Sequence, residues 1–194
     1  MKNIIKKITL LPGSRNDEVK HHLPVLLDTI DLLKKDFIID LCISKAPAVK
    51  NDIFNELLSG VTDCKIVTTD IYTHIFESDL VMTKAGTSTM ECSLIGTPFL
   101  IFYKTYPVNY FLLKPLVKIK NIGIVNILSG KDIVREFIQR DFKPGLLYCE
   151  AKRILSDNNY RDEMQNNLRY IWQILGTKDA SFNAAQQIKQ LTLA

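Results

Sequence analysis

Short apolar runs rich in β-branched residues alternate with longer segments of helical period, and this alternation restricts the fold more than any other feature of the sequence. Five runs have the length and composition of buried parallel strands: 8–11, 37–43, 65–68, 79–83 and 98–103. The segments that follow the strands predict helices at 16–35, 48–58, 71–77, 88–94 and 110–120. Repeated strand–helix–strand units of this kind predict an α/β fold.

Beyond Gly130 the pattern becomes helical, with candidate helices at 132–140, 146–156, 160–175 and 180–191. We therefore predict a Rossmann-like parallel sheet with helices on both faces and a helical C-terminal extension. No linker of glycine, serine or proline divides the chain. One domain is expected over 1–194, with an α/β core over about 1–130 and the extension over about 131–194. Pro24 predicts either a kink in the first helix or two short helices.

The composition excludes several classes of protein. With 46% hydrophobic residues in 194, the chain can bury a core, so disorder is not expected. The net charge is only +4 and no basic run is interleaved with aromatics, so no nucleic-acid partner is predicted. The four cysteines include no C-x-x-C pair, which argues against a metal site and indicates reduced thiols in the cytoplasm. No apolar segment approaches the roughly 20 residues of a transmembrane helix.

Two loops combine the residues that an anion-binding site needs. They are 11–15 after the first strand and 83–91 after the fourth, and the carboxyl ends of parallel strands are where open sheets bind ligands. In each loop a glycine permits close approach of the backbone, hydroxyl residues follow, and a helix begins. Free amides and the positive end of the helix dipole then point outward. The candidates are Gly13, Ser14 and Arg15 in the first loop and Gly86, Thr87 and Ser88 in the second.

Other phosphate-binding motifs do not fit the sequence. The eight glycines contain no G-x-G pair, which excludes the dinucleotide fingerprint. Gly123 and Gly130 are separated by six residues where a P-loop has four, and Asp132 stands where a P-loop has Ser or Thr. Neither a Rossmann dinucleotide site nor a P-loop is therefore predicted.

A purely structural explanation stays open for each candidate. Ser88 and Glu91 have the spacing of a capping box, which any helix can use to satisfy its first amides. Arg15 fits an exposed residue at the start of a helix, Asn126 a turn residue, and Gln139 a solvated helix residue. The histidine pair at 21 and 22 predicts surface or packing roles, since a third metal ligand is missing from the sequence pattern.

Three stretches taken in order carry a resemblance to a known family. They are LLPGSRNDEV at 10–19, SDLVMTKAGTSTMECSLIGTPFLIFYK at 78–104 and VNILSGKDIVREFIQ at 125–139. Together they resemble the C-terminal half of lipid-A-disaccharide synthases, bacterial hexosyltransferases of the GT-B type that act in lipid A biosynthesis. The resemblance implies a donor-binding domain and inverting transfer of 2,3-diacylglucosamine from UDP to 2,3-diacylglucosamine 1-phosphate, with release of UDP.

The resemblance also implies roles for individual residues. Glu91 would accept hydrogen bonds from the ribose diol of UDP, because a carboxylate has two acceptor oxygens. Asn126 and Gln139 would border the donor site. No cofactor is implied, and the sequence has no Asp-x-Asp pair to hold a metal. The residues expected to meet the UDP diphosphate are Gly13, Ser14, Arg15, Gly86, Thr87 and Ser88.

The chain departs from the family pattern at Ala85, where Ser is common, and at Val125, where Pro is usual. The family's N-terminal domain, which holds the acylated acceptor and a catalytic carboxylate, is not in this sequence. We therefore expect a chain that is inactive alone, with a separately encoded N-terminal half as a candidate partner. The segment 106–122, apolar with lysines at its edges, fits either packing of its apolar side on the sheet or contact with the anionic inner face of the inner membrane. Another UDP-sugar enzyme of GT-B type and a non-catalytic nucleotide-binding remnant remain as alternatives.

Overall fold

The computed structural model describes residues 5–105, 121–176 and 180–192. The strands of these residues are β1 (Ile5–Leu11), β2 (Ile38–Ser44), β3 (Cys64–Val67), β4 (Leu80–Lys84), β5 (Phe99–Tyr103) and β6 (Glu136–Ile138). The helices are α1 (Asn16–Leu33), α2 (Asn51–Leu57), α3 (Ile71–Phe76), α4 (Thr87–Ile95), α5 (Ile124–Ser129), α6 (Pro144–Ser156), α7 (Asn158–Leu175) and α8 (Ala180–Thr192).

The described strands form one parallel sheet in the order β3-β2-β1-β4-β5-β6. The chain runs outward from β1 in one direction and outward from β4 in the other. β1 and β4 are neighbours, with Leu11 in register with Thr83, so their carboxyl ends meet where the strand order reverses. The predicted parallel α/β sheet is confirmed, and this reversal point is where such sheets bind ligands.

Helices cover the central strands on both faces. The residues of β4 from Leu80 to Thr83 are all buried, which requires cover on each side because successive side chains point to opposite faces. α1 packs against α2 and α6, while α4 packs against α3, α5 and α7. The Trp172 Nε1–H donates to the Leu94 carbonyl at 2.8 Å, and Gln165 donates to the Gly96 carbonyl at 3.3 Å. α7 thereby holds the C-terminal end of α4, whose other end faces the crevice.

The structure corrects one predicted helix, adds a helix that was not predicted and decides between the two alternatives for Pro24. The helix expected over 132–140 is wrong, because this stretch forms β6 and a 3₁₀ turn at Gln139–Asp141. Its apolar spacing fits a helix, yet Glu136 and Ile138 pair with Ile101 and Tyr103 at the edge of the sheet. Helix α5 was not expected. Pro24 lies inside a single helix, α1, so two separate helices are not formed.

The helix predicted at 110–120 and most of the proposed membrane segment at 106–122 lie outside the described residues. Among the helices that are described, none combines the length and the apolar character needed to cross a membrane.

Candidate functional site

The carboxyl ends of β1 and β4 open into a crevice whose walls come from both predicted loops. Ser44 and Ile71 complete it from the ends of β2 and the start of α3. The structure thus brings together six of the predicted site residues: Gly13, Ser14, Gly86, Thr87, Ser88 and Glu91.

The first loop turns sharply at Gly13. Its φ of +136° is a conformation that residues with a side chain rarely adopt. A Cβ at this position would also lie 2.7 Å from the Cβ and Oε2 atoms of Glu18. The close approach lets Glu18 Oε2 accept a hydrogen bond from the Ser14 N–H at 3.0 Å. Glycine is therefore needed here for both backbone conformation and space.

The second loop leads from β4 into α4 through Gly86. The Thr89 hydroxyl donates to the Gly86 carbonyl at 2.7 Å, which fixes the turn. The N–H groups of Thr87 and Ser88 lie too near the start of α4 to have intrahelical partners. They belong to the positive end of a nine-residue helix and to a residue set that lines the crevice. This arrangement suits a negatively charged group.

Ser88 and Glu91 do not form the capping box that their spacing allowed. Ser88 lies inside α4, and its hydroxyl is 2.7 Å from the Thr83 hydroxyl and 3.3 Å from the Lys84 carbonyl. The Glu91 carboxylate accepts from the Tyr72 hydroxyl at 3.4 Å. Glu91 therefore presents its carboxylate to the crevice wall and not to the amides at the helix start.

Charged side chains join the two loops through Glu18. Its Oε1 atom is 2.9 Å from Lys84 Nζ and 3.7 Å from Arg15 Nη1. Burial opposes ionisation of this carboxyl, but the hydrogen bonds from Lys84 and the Ser14 N–H and the charges of Lys84 and Arg15 together lower its pKa. Glu18 and Lys84 were not predicted as site residues. Both lie within the stretches at 10–19 and 78–104 that carry the family resemblance. Their position in these stretches could have indicated them as site residues, whereas their residue types alone could not.

His22 ties the first loop to the end of β5. Its Nδ1–H donates to the Pro12 carbonyl at 2.7 Å, and its Nε2 lies 3.0 Å from the carbonyl oxygen and 3.2 Å from the backbone nitrogen of Lys104. The ring is fully buried between Phe102 and Phe142. Burial lowers the pKa of His22, against the opposing effect of the hydrogen bonds to Pro12 and Lys104. The predicted packing role is confirmed for this histidine.

Asn126 lies in α5, away from the crevice, and its side chain is bonded to residues just before and at the start of β6. Its Nδ2 donates to the Val134 carbonyl at 2.7 Å and to Glu136 Oε1 at 2.8 Å, while its Oδ1 accepts from the Val134 N–H at 3.0 Å. Glu136 also accepts from the N–H groups of Ile122 and Gly123 at 2.8 and 3.0 Å, just before α5. These bonds favour a structural role for Asn126, and its contact with the donor stays a prediction.

Gln139 follows the carboxyl end of β6, and Thr105 follows the carboxyl end of the neighbouring strand β5. Its Oε1 accepts from the Thr105 N–H at 3.4 Å. Its φ of +52° turns the chain directly after the strand. Gln139 is thus on the same side of the sheet as the crevice, at the carboxyl ends of the strands, but it does not line the crevice between β1 and β4.

The crevice as a whole can hold a phosphorylated ligand next to a carboxylate. Backbone amides of α4 and two cations lie near one end, and Glu91 lies in the wall with free acceptor capacity. Within the described parts of the chain, no three His, Cys, Asp or Glu side chains are grouped as a metal ion would need.

Solved structures share this fold. The calicheamicin glycosyltransferase CalG4 matches 97% of this chain and 42% of its own, with a TM-score of 0.59 and 11% identity. The UDP-GlcNAc 2-epimerase from Neisseria meningitidis matches 97% of this chain and 45% of its own, with a TM-score of 0.56 and 16% identity. The sheet order and the crevice at its reversal point place the chain in the class of GT-B folds.

Sequence comparison identifies the family. The family model described as lipid-A-disaccharide synthetase matches residues 2–191. The synthase of Persephonella marina is 31% identical over 95% of this chain, and that of Trichlorobacter lovleyi is 34% identical over 87%. The chain belongs to the lipid-A-disaccharide synthase family. It spans about half the length of these relatives, 50% and 45% respectively.

Proposed function

We propose that this chain binds the UDP-2,3-diacylglucosamine donor of a lipid-A-disaccharide synthase. In the reaction, the diacylglucosamine unit passes with inversion to the 6-hydroxyl of 2,3-diacylglucosamine 1-phosphate, and UDP leaves. The observation that carries the proposal is that two family stretches, at 10–19 and 78–104, meet in one crevice at the reversal point of the sheet. Membership of the family supports the choice of substrates.

Glu91 binds the ribose of UDP in this proposal. Its carboxylate lines the crevice. Because the capping box is not formed, the carboxylate does not bond to the first amides of α4 and can bind a ligand. Two carboxylate oxygens can accept both hydroxyl protons of a vicinal diol. The Tyr72 contact restrains the side chain without using all of its acceptor positions.

The diphosphate of UDP lies at the start of α4. Unpaired amides of Thr87 and Ser88 and the helix dipole stabilise negative charge there. Charge on the diphosphate increases as the sugar–oxygen bond breaks, so the same groups stabilise the leaving group. Arg15 is 82% exposed and can move toward this charge from the rim.

The binding site for the acceptor and the general base are supplied by residues outside the crevice. The crevice offers groups for binding a nucleotide diphosphate, but the acylated acceptor needs an apolar site that its polar loops do not provide. An N-terminal half of the family's type supplies that site and the base. In this proposal the isolated chain does not catalyse transfer and needs the partner half for activity.

Titration calorimetry tests donor binding. The chain should bind UDP more tightly than CMP or AMP, with the folded state checked by circular dichroism. Equal binding of the three nucleotides, or binding of none, by a folded sample contradicts the donor site.

Reconstitution tests the reaction. The N-terminal half of the Persephonella marina synthase should restore disaccharide formation when it is added to this chain with both substrates. UDP binding without any transfer under these conditions favours the alternative of a non-catalytic nucleotide-binding module.

Because the proposed substrates are acylated, we propose that the reaction takes place at the inner face of the bacterial inner membrane, with the chain on its cytoplasmic side. The sequence feature behind a peripheral contact is the segment 106–122. Co-sedimentation with anionic and neutral vesicles checks it: binding to anionic vesicles alone, reversed by salt, is the expected result.

A further inference from the structure

Lys84 occupies a position in the crevice that the proposed donor site leaves without a role. It is the last residue of β4, and its side chain is 21% exposed. Its Nζ lies 4.0 Å from the point where a Cβ on Gly86 would be, directly over the turn that begins α4. The ammonium is therefore next to the helix end that favours an anion.

Glu18 holds this ammonium in place. The distance from Glu18 Oε1 to Lys84 Nζ is 2.9 Å, and the Glu18 side chain is 15% exposed. The second oxygen of Glu18 accepts from the Ser14 N–H, so one carboxylate connects both loops of the crevice. A lysine that is already immobilised loses less side-chain entropy on binding a ligand than a mobile one.

Lys84 retains hydrogen-bonding capacity for a ligand. An ammonium has three N–H donors, and within the described part of the chain Lys84 Nζ donates a hydrogen bond to Glu18. Two donors remain on a charged group that lines the crevice beside Gly86 and Thr87. Arg15 differs, since it is 82% exposed and 3.7 Å from the same carboxylate.

We propose that Lys84 is the cation that binds the diphosphate of the nucleotide donor and that Glu18 is the positioning residue that aims it. The inference rests on the proposed function and adds a ligand-binding residue to it. Arg15 then provides a secondary contact from the rim. The site takes a diphosphate because a compact ammonium and the unpaired amides of α4 surround the same point in the crevice.

Calorimetry with UDP and uridine on the whole chain tests the role of Lys84. In Lys84→Met the UDP affinity should fall by about 10- to 100-fold, the range for a lost hydrogen bond to a charged group. Uridine lacks the diphosphate, so its affinity should change by less than about threefold. Lys84→Arg keeps the charge and should restore most of the UDP affinity. Equal losses for the two ligands, or an unchanged UDP affinity, overturn the proposal.

Two matched variants separate the local effect from general changes in charge. Lys20→Met removes an exposed lysine of α1 that does not line the crevice and should leave UDP binding unchanged. Arg15→Ala should weaken UDP binding more than uridine binding, but less than Lys84→Met does. If Lys84→Met fails to fold, Lys84→Gln retains a donor for Glu18 while removing the charge, and the same comparison applies.

Inorganic pyrophosphate distinguishes this inference from the proposed function. A chain that binds pyrophosphate through Lys84 but shows no preference for UDP over CMP or AMP contradicts the UDP-sugar site and retains the diphosphate site. A chain that prefers UDP, with an affinity insensitive to Lys84, supports the donor site and overturns the role of Lys84. Binding of neither UDP nor pyrophosphate overturns both.

Discussion

The hydroxyl of Tyr72 donates a hydrogen bond to the Glu91 carboxylate at 3.4 Å, joining α3 to α4 across the wall of the crevice. The bond is long and Tyr72 is 57% exposed, so it restrains the carboxylate only weakly. Glu91 is thus available to a ligand, whereas a capping box would have turned it toward the backbone of its own helix.

Glu91→Gln should lower UDP affinity by about 10- to 100-fold with little change in melting temperature. The amide has one acceptor oxygen and no charge, so it binds a ribose diol less well. Calorimetry with UDP and 2′-deoxy-UDP measures this, and the variant should lose the preference for UDP. Tyr72→Phe is the control and should change the affinity by less than about threefold. A loss of stability with unchanged UDP affinity assigns Glu91 a structural role.

Gly13→Ala should destabilise the chain by about 1–3 kcal/mol, because the new methyl group meets Glu18 and the backbone has a positive φ. Movement of the first loop should also weaken UDP binding. Gly145→Ala is the matched control, since no heavy atom other than those of its chain neighbours and its own helix backbone lies within 4 Å of its Cβ position. That change should be neutral or stabilising by up to about 1 kcal/mol. Chemical denaturation gives both values, and equal effects contradict the steric argument.

His22 should make stability depend on pH near neutrality. Its pKa is lowered by burial, so the unfolded chain binds a proton more readily than the folded chain. The stability that neutral His22 contributes is present above the ordinary histidine pKa of about 6.5 and is lost as the pH falls through the lowered folded value. Unfolding free energies between pH 5 and 8 should show this slope in the wild-type chain. The same slope in His22→Gln would argue against the assignment.

Asn126→Ala should cost about 2–4 kcal/mol of stability, since it leaves buried partners at Val134 and Glu136 without their hydrogen bonds. UDP affinity of the folded variant should be unchanged. Asn121→Ala removes an exposed bond to Asp132 and should stay within about 0.5 kcal/mol of wild type. Weaker UDP binding in a stable Asn126→Ala variant restores the donor-site role implied by the family.

The sheet could be predicted wherever local pattern and tertiary position agree. β4 and β5 are buried on both faces, so their sequences are largely apolar runs of strand length. β6 could not be predicted in this way. It has three residues at the edge of the sheet, and the spacing of Ile133, Val134 and Phe137 also fits one face of a helix.

The sequence by itself determined that two glycine-containing loops follow β1 and β4, because the order of strands and helices is encoded in periodicity and each loop comes directly after an apolar run. Only the tertiary structure decided which side chains lie beside those loops. Glu18 and Lys84 are 66 residues apart, and Asn126 turns inward although its motif suggested the donor site. Side-chain direction depends on contacts between distant segments, which a local pattern does not record.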